Sequence, residues 1–168
     1  MEANEKKLYE IFSEIGITDY SVIEHKAVFT SQEAEEALPQ LAGLSLKNLL
    51  VREKKSGRYF LIILDDHRRL DMKHFKALTG WGQVRFASAE ELMECLGLIP
   101  GSVSPFGLVS AEEGAVTVVL GREVGAADDA ELVNFHPNRN TATLALSKAD
   151  FVRFLNHMKC PVIWEEEV

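Results

Sequence analysis

Apolar side chains recur along this 168-residue chain with two different periods. Spacings of three and four residues predict helices at 4–16, 70–80, 88–97 and 147–158. Glycines at three of their ends and serines at two of their starts have the usual positions of helix caps. A further short acidic helix is expected to begin at Thr30, because Thr30 and Glu33 have the spacing of a capping box.

Alternating or continuously apolar runs lie between these helices. They predict strands at 20–25, 44–53, 58–64, 84–88, 114–121, 130–137 and 141–147. Two pairs of strands are joined by the short polar turns KKSGR and PNRN, which indicates hairpins. Helices, strands and hairpins interleaved in this way favour an α+β or mixed α/β domain over a doubly wound fold. No internal repeat or linker interrupts the pattern, so one domain over 1–168 is expected.

Composition supports one folded domain and limits the cellular compartments in which the protein is expected. With 46% hydrophobic and 26% charged residues, the chain suits a compact core and not disorder. It has no apolar run of membrane-spanning length, and its polar, acidic start does not resemble a secretory signal. The two cysteines, Cys95 and Cys160, lie far apart and outside any CxxC pattern. We therefore expect a cytoplasmic protein without a disulfide framework or a structural metal.

The charge is distributed unevenly along the chain. A net charge of −8 argues against general nucleic-acid binding. Between Lys47 and Lys76, however, nine Lys or Arg residues accompany four acidic residues, which leaves this window at +5. Such a patch on an acidic body fits contact with a few phosphates. A solvated lysine-rich turn is the plainer alternative.

Lys47 stands inside the apolar run LSLKNLLV. If strand alternation turns its side chain towards a core, the ammonium must reach a carboxylate, a bound anion or a cavity mouth, because an unpaired buried charge is costly. If the strand lies at an edge, the side chain can instead extend to solvent. The residues alone leave both alternatives open.

The segment GLIPGSVSPFGL is rich in glycine and proline and contains Gly101 and Pro105 in a GxxxP pattern. Glycine permits positive φ and close approach of a ligand, and backbone N–H groups in such loops can bind an anion or an oxyanion. A rigid connection between a helix and a strand explains the same residues without a ligand.

His136 precedes Pro137 in NFHPNRN, at the end of a predicted strand. An imidazole there can donate to a substrate carbonyl or act as a base. More commonly, such a histidine forms a structural hydrogen bond within a turn built from proline and asparagine. No second histidine has metal-ligand spacing to it, and the chain lacks GxSxG, HExxH, Walker A and Rossmann motifs.

Taken in order, LSLKNLLVRE, GSVSPFGL and NFHPNRNTAT resemble the motifs of the YbaK and prolyl-tRNA-synthetase-associated editing domain family. The likeness covers nearly the whole chain, from YSVIEHKAVFTSQEA through LALSKADF, and is nearest to the freestanding alanyl-tRNA(Pro) deacylases. Three motifs in a fixed order are much more specific than any one of them. The resemblance implies a single-domain α+β fold with a mixed β-sheet flanked by helices.

The resemblance also implies roles for individual residues. It makes Lys47 the required lysine that holds the phosphate or ribose of the terminal adenosine, with Asn48 beside it. Gly101 corresponds to the loop glycine whose N–H faces the scissile ester. His136 corresponds to the histidine that lines the amino-acid pocket.

Further residues are implied to bind the substrate. Arg52 and Arg85 match basic positions that contact the acceptor stem, and Ser104 and Pro105 belong to the substrate-binding loop. An apolar segment offers walls for the amino-acid pocket: Val28, Phe29, Leu46 and Leu49.

The implied activity is hydrolysis of alanine wrongly esterified to tRNA(Pro), without a cofactor or metal. Members of the family lack a protein nucleophile, and the ribose 2′-hydroxyl of the substrate is thought to help position or activate water. The expected partner is the acceptor end of mischarged tRNA(Pro); selection of this tRNA would come from its acceptor stem or from association with prolyl-tRNA synthetase, and neither DNA nor a membrane is expected. Two alternatives stay open: removal of cysteine, serine or threonine, and a non-catalytic tRNA- or synthetase-binding module.

Overall fold

A computed structural model describes residues 2–27 and 41–165. The helices are α1 (Ala3–Ile15), α2 (Met72–Thr79), α3 (Ala89–Leu96), α4 (Arg122–Ala126) and α5 (Lys148–His157), with a 3₁₀ helix at Pro105–Ser110. The strands are β1 (Tyr20–Glu24), β2 (Leu44–Glu53), β3 (Tyr59–Asp65), β4 (Val84–Phe86), β5 (Val116–Leu120), β6 (Leu132–Phe135), β7 (Ala142–Ser147) and β8 (Val162–Trp164).

Within these residues the strands form one mixed sheet of eight. Seven lie in the order β1-β7-β6-β2-β3-β5-β8, and β4 pairs with β2. Strand β2 is antiparallel to β3 and β4 but parallel to β6, and β5 is parallel to both β3 and β8. A mixed sheet flanked by helices confirms the expected α+β class.

Local sequence signals account for most of these elements. The Ser88 hydroxyl accepts from Glu91 N–H at 3.1 Å and the Glu91 carboxylate accepts from Ser88 N–H at 3.0 Å, which completes the predicted capping box of α3. Asp71 and Ser147 cap α2 and α5. Each predicted strand has a counterpart in the sheet. The acidic helix predicted at Thr30 lies outside the described residues.

The sequence pattern does not predict three of the observed elements: the 3₁₀ helix, α4 and β8. The end of β8 is held by Glu165, which is buried and accepts from Arg68 at 2.5 and 2.6 Å and from Arg122 N–H at 2.8 Å. The bonds from Arg68 hold the pKa of Glu165 down at about 2. Because Arg68 and Glu165 are 97 residues apart, no local pattern indicates this strand.

Each face of the sheet carries a hydrophobic core. The larger core contains Leu50 and the buried side of α1, α3, α5 and the 3₁₀ helix. The smaller core contains Val51, with Phe75 of α2 and Trp81. Neighbouring residues of β2 thus belong to opposite cores, as strand alternation requires.

One edge of β2 meets two different strands. Strand β6 pairs with the first two residues of β2, and β4 pairs with the last three. Between them, residues 46–49 have no strand partner on that edge within the described ranges. The chain before β2 runs tightly against β6, because Gly43 has a φ of 86° and any Cβ there would collide with Leu132. The sheet is therefore split beside Lys47 and Asn48.

Candidate functional site

Lys47 lies on β2 beside the split in the sheet. Alternation places its side chain on the face of Leu49 and Val51, both of which belong to the smaller core. The side chain is partly exposed, and no acidic residue in the described ranges forms an ion pair with it. The ammonium therefore sits at the margin of a buried surface, a position from which it can reach a bound anion.

Asn48 faces the other side of the sheet, with Leu46 and Leu50. Its Oδ1 atom is buried and accepts no hydrogen bond from the part of the chain that the structure describes. Buried polar atoms are nearly always paired in folded proteins. This unpaired acceptor lies directly beside the split.

His136 follows β6, the strand that parts from β2. Its Nδ1 lies 2.8 Å from the carbonyl oxygen of Ala142, so Nδ1 carries the hydrogen and donates it. Burial lowers the pKa of His136 below 6.5, and this outweighs the opposing effect of the bond to Ala142. The ring is therefore neutral at pH 7, with an acceptor lone pair on Nε2. In that state it can act as a base or acceptor, but it cannot donate from Nε2 to a carbonyl.

A second imidazole, His25, lies beside the first, with the ring centroids 6.2 Å apart. Its Nδ1 donates to the Lys26 carbonyl at 2.7 Å, and its Nε2 accepts from the Thr143 hydroxyl at 2.9 Å. Both nitrogens are thus occupied, and the ring is fixed. Sequence reasoning missed His25, since its partner Thr143 is 118 residues away and no local motif links them.

Asn134 lies two residues before His136 on β6 and is 5% exposed. Its amide nitrogen donates to the carbonyl oxygens of Ala42 at 2.7 Å and Leu44 at 3.1 Å. Its Oδ1 is buried and has no donor among the described residues. Asn134 therefore ties β6 to the start of β2 and leaves one acceptor unused.

The turn after His136 is anchored to the helices. Asn138 adopts a positive φ of 65°, which asparagine tolerates, and donates to Phe106 O at 3.1 Å and Asn4 O at 3.3 Å. Arg139 pairs with Glu5 at 2.9 Å and with Glu24 at 2.6 Å. These contacts join the turn to α1, β1 and the 3₁₀ helix, and they hold the end of β6 in place.

The GxxxP loop leads into the 3₁₀ helix. Gly101 has a φ of 90°, a conformation that strongly favours glycine. Ser104 is fully buried, and its hydroxyl accepts from Phe106 N–H at 3.1 Å, so it caps the helix that Pro105 begins. In this structure Ser104 and Pro105 shape the loop that carries Gly101.

Arg52 and Arg85 pair with one carboxylate, that of Glu91. Arg52 lies 2.6 Å from it, and Arg85 contacts it at 2.6 and 3.0 Å. The bond from Arg85, followed by Ser88 N–H and Arg52, holds the pKa of Glu91 far below its ordinary value. Both arginines remain partly exposed at the outer end of β2, so they form a cluster distinct from Lys47.

The structure unites some of the predicted site residues and separates others. Lys47 lies on β2 and His136 directly follows β6, the two strands that part at the split, and alternation turns both side chains away from the larger core. Among the described residues, Gly101 is linked to His136 indirectly, through the contact between Phe106 and Asn138. Of the four predicted pocket walls, Val28 and Phe29 lie outside the described residues, while Leu46 and Leu49 face opposite cores.

Other chemistry finds little support in the described residues. Burial raises the pKa of the Cys95 thiol to about 11 and raises that of Cys160, so neither is an activated nucleophile at neutral pH. No group of three or more His, Cys, Asp or Glu side chains in residues 2–27 and 41–165 is arranged to hold a metal ion. None of the described helices combines the length and apolar character that a membrane span requires.

Comparison with known proteins relates the chain to tRNA editing. The model of the aminoacyl-tRNA editing domain family matches residues 25–154. Prolyl-tRNA editing protein ProX of Acetoanaerobium sticklandii is 32% identical over 137 residues, which cover 82% of each chain. Prolyl-tRNA synthetase associated domain-containing protein 1 of Danio rerio is 33% identical over 159 residues, 94% of this chain and 85% of the relative.

Solved structures share the fold. The hypothetical protein APE2540 superposes with a TM-score of 0.73 at 22% identity, over 95% of this chain and 97% of its own. A candidate trans-editing enzyme for prolyl-tRNA synthetase superposes with a TM-score of 0.71 at 22% identity, over 100% and 99% of the two chains. At these identities the superpositions support the architecture alone.

Proposed function

Because the chain belongs to the aminoacyl-tRNA editing domain family, we propose that it is a trans-editing deacylase that hydrolyses alanine from mischarged tRNA(Pro). The observation that carries this proposal is the joint position of Lys47 and His136. Lys47 lies on β2 and His136 directly follows β6, so the two residues lie on one face of the sheet beside the split. The relatives' names refer to prolyl-tRNA editing and to association with prolyl-tRNA synthetase.

The proposed chemistry needs little from the protein. An aminoacyl ester is already activated, so the enzyme has only to position water and stabilise an oxyanion. Water adds to the ester carbonyl carbon, the bond to the 3′-oxygen breaks, and that oxygen leaves with a proton. We assign oxyanion stabilisation to backbone N–H groups near Gly101. We assign alignment of the water to the ribose 2′-hydroxyl of the substrate.

Lys47 would hold the phosphate or ribose of the terminal adenosine, with Asn48 beside it. Its partly exposed ammonium, without an ion-pair partner in the described residues, suits that role. His136 would line the amino-acid pocket as a neutral imidazole. No metal or cofactor takes part in the proposed reaction.

The selectivity for alanine would be that of a second sieve. A synthetase pocket built for proline cannot strongly reject a smaller side chain, since one methylene is worth only about 1–3 kcal/mol. A pocket too small for the proline ring then removes the error. Cysteine, serine and threonine are the competing substrates, because their side chains are also compact.

Recognition of tRNA would draw on the outer end of β2. Arg52 and Arg85 are the proposed contacts to the acceptor stem, and each would share its charge between Glu91 and a phosphate. Ser104 and Pro105 would act by shaping the loop of Gly101. Prolyl-tRNA synthetase is the proposed partner for selection of tRNA(Pro), and the cytoplasm is the proposed compartment.

Deacylation of tRNA(Pro) charged separately with alanine, cysteine, serine and proline tests the proposal directly. We expect fast loss of alanine and retention of proline. A preference for cysteine or serine would keep the reaction class but change the substrate. No hydrolysis of any of the four would contradict the proposal, and binding of uncharged tRNA(Pro) would then test for a non-catalytic module.

A further inference from the structure

We propose that Asn134 Oδ1 and His136 Nε2 together bind the α-ammonium group of the aminoacyl ester. This inference rests on the proposed function and adds a substrate-recognition site to it. Sequence reasoning assigned Asn134 no role.

The orientation of the Asn134 amide is fixed by its surroundings. Its nitrogen has two carbonyl acceptors, Ala42 O at 2.7 Å and Leu44 O at 3.1 Å. A flipped amide would set its oxygen against both carbonyls, so the acceptor must be the remaining atom, Oδ1. That oxygen is buried without a donor among the described residues, on a side chain that is 5% exposed. Such an atom is free to accept a hydrogen bond from an N–H or O–H group of a ligand.

His136 supplies a second acceptor. Its Nδ1 is committed to the Ala142 carbonyl at 2.8 Å, which leaves Nε2 with a lone pair in the neutral ring. Asn134 lies on β6 and His136 directly follows the strand two residues later; continued alternation turns both side chains away from Phe135 and the larger core. Two positions on a strand span about 6.6 Å between Cα atoms, so a single small group can contact both side chains.

The chemistry of these two atoms selects the ligand. Two acceptors repel a phosphate oxygen or an ester carbonyl and require a donor. The α-ammonium of an aminoacyl ester offers several N–H donors and a positive charge, and hydrogen bonds to a charged donor are the stronger kind. An ester whose α-nitrogen is acylated, as in a peptidyl or formylated substrate, has lost both the charge and most of the donors. The site would therefore exclude such esters from hydrolysis.

The test compares alanyl-tRNA(Pro) with lactyl-tRNA(Pro), in which a hydroxyl replaces the ammonium at nearly the same size. Each enzymatic rate is divided by the spontaneous hydrolysis rate of the same ester, because the ammonium itself makes the ester more labile. We expect the corrected kcat/KM of the wild type to favour the alanyl ester by about 10- to 100-fold, as loss of a charged hydrogen bond implies. A corrected ratio within about twofold of one overturns the inference.

Variants locate the effect. We expect Asn134→Leu and His136→Leu to lower the rate on the alanyl ester and to bring the corrected ratio towards one. Asn156→Leu, at an exposed position of α5, is the matched control and should keep the wild-type ratio. A full ratio in both site variants overturns the assignment to these residues. If the Asn134 variant does not fold, the wild-type ratio and the His136 variant still decide. If the wild-type enzyme hydrolyses neither the alanyl nor the lactyl ester, the proposed function itself is overturned.

Discussion

The two ends of strand β2 differ in whether their polar side chains are paired. At the outer end, Arg52 pairs with Glu91, and Glu53 accepts from the Ser56 hydroxyl, from Gly82 N–H at 2.6 Å and from Arg58 at 3.3 Å. The bond from Ser56, followed by those from Gly82 and Arg58, holds the pKa of Glu53 at about 2. Strand β4 closes this end of the sheet.

At the inner end, residues 44–49, β6 pairs only with the first two residues, and residues 46–49 have no strand partner on that edge within the described ranges. Asn48 Oδ1 is buried and unpaired among the described residues, and Lys47 has no ion pair there. A polar group that is paired in the folded protein contributes to stability, whereas an unpaired one costs free energy unless a ligand completes it. The outer end is therefore expected to stabilise the fold, and the inner end to bind substrate. Substitutions at the two ends should accordingly change different measurements.

The largest expected effect comes from Lys47→Ala. Loss of the ammonium should lower kcat/KM for alanyl-tRNA(Pro) by about 100-fold, comparable with removal of one oxyanion donor, and leave Tm nearly unchanged. Rates of deacylation and thermal melts measure the two quantities. Lys55→Ala, at an exposed position of the hairpin turn, is the control. Deacylation by the Lys47 variant at the wild-type rate would show that Lys47 does not belong to the functional site.

The pH profile of the same reaction tests the state of His136. Burial lowers its pKa below the ordinary 6.5, so the neutral ring predominates above that value. We expect kcat/KM to decline as the pH falls below 6.5, where the His136 ring gains its proton. A His136→Asn variant should lose roughly tenfold in rate and lose this acid limb. An acid limb with a midpoint above pH 7 would contradict a neutral His136.

Glu53→Ala tests the outer end of β2 for a purely structural role. It leaves three donors without their carboxylate, so we expect Tm at pH 7 to fall by about 5 °C while the deacylation rate at low temperature stays unchanged. The wild-type carboxylate has a lowered pKa, so its contribution is complete above pH 4.5 and is lost as the pH falls towards 2. The Tm of the variant should therefore depend less on pH in that range. A reduced kcat/KM would show that the outer end of β2 also contributes to the reaction.

The smallest effect is expected from Ser88→Ala, which removes half of the capping box of α3. Loss of an N-cap hydroxyl costs about 1 kcal/mol, or about 2–4 °C in Tm for a protein of this size. Because Glu91 also orients Arg52 and Arg85, the salt dependence of tRNA binding should be measured as well. An unchanged Tm would mean that the arginines alone hold Glu91 in place.

Much of the fold can be predicted from the sequence, because its signals are local. The cap at Ser88, the ends at Gly80 and Gly97 and the alternation of the strands depend on residues within a few positions of one another. Short elements are the exception. Strand β8 has three residues and depends on β5 and on Arg68, so no window of sequence contains the cause of its formation.

The candidate site divides in the same way. The sequence by itself determined that an ammonium would stand in an apolar strand and that a histidine would end another, since both follow from residue order and spacing. Only the tertiary structure decided that their strands part beside each other, that His25 and Asn134 accompany His136, and that Arg52 and Arg85 converge on Glu91. The contact of Arg52 with Glu91 joins residues 39 positions apart, and that of His25 with Thr143 joins residues 118 positions apart. Their formation depends on which distant strands become neighbours in the sheet, and the spacing of residues along the chain does not predict this.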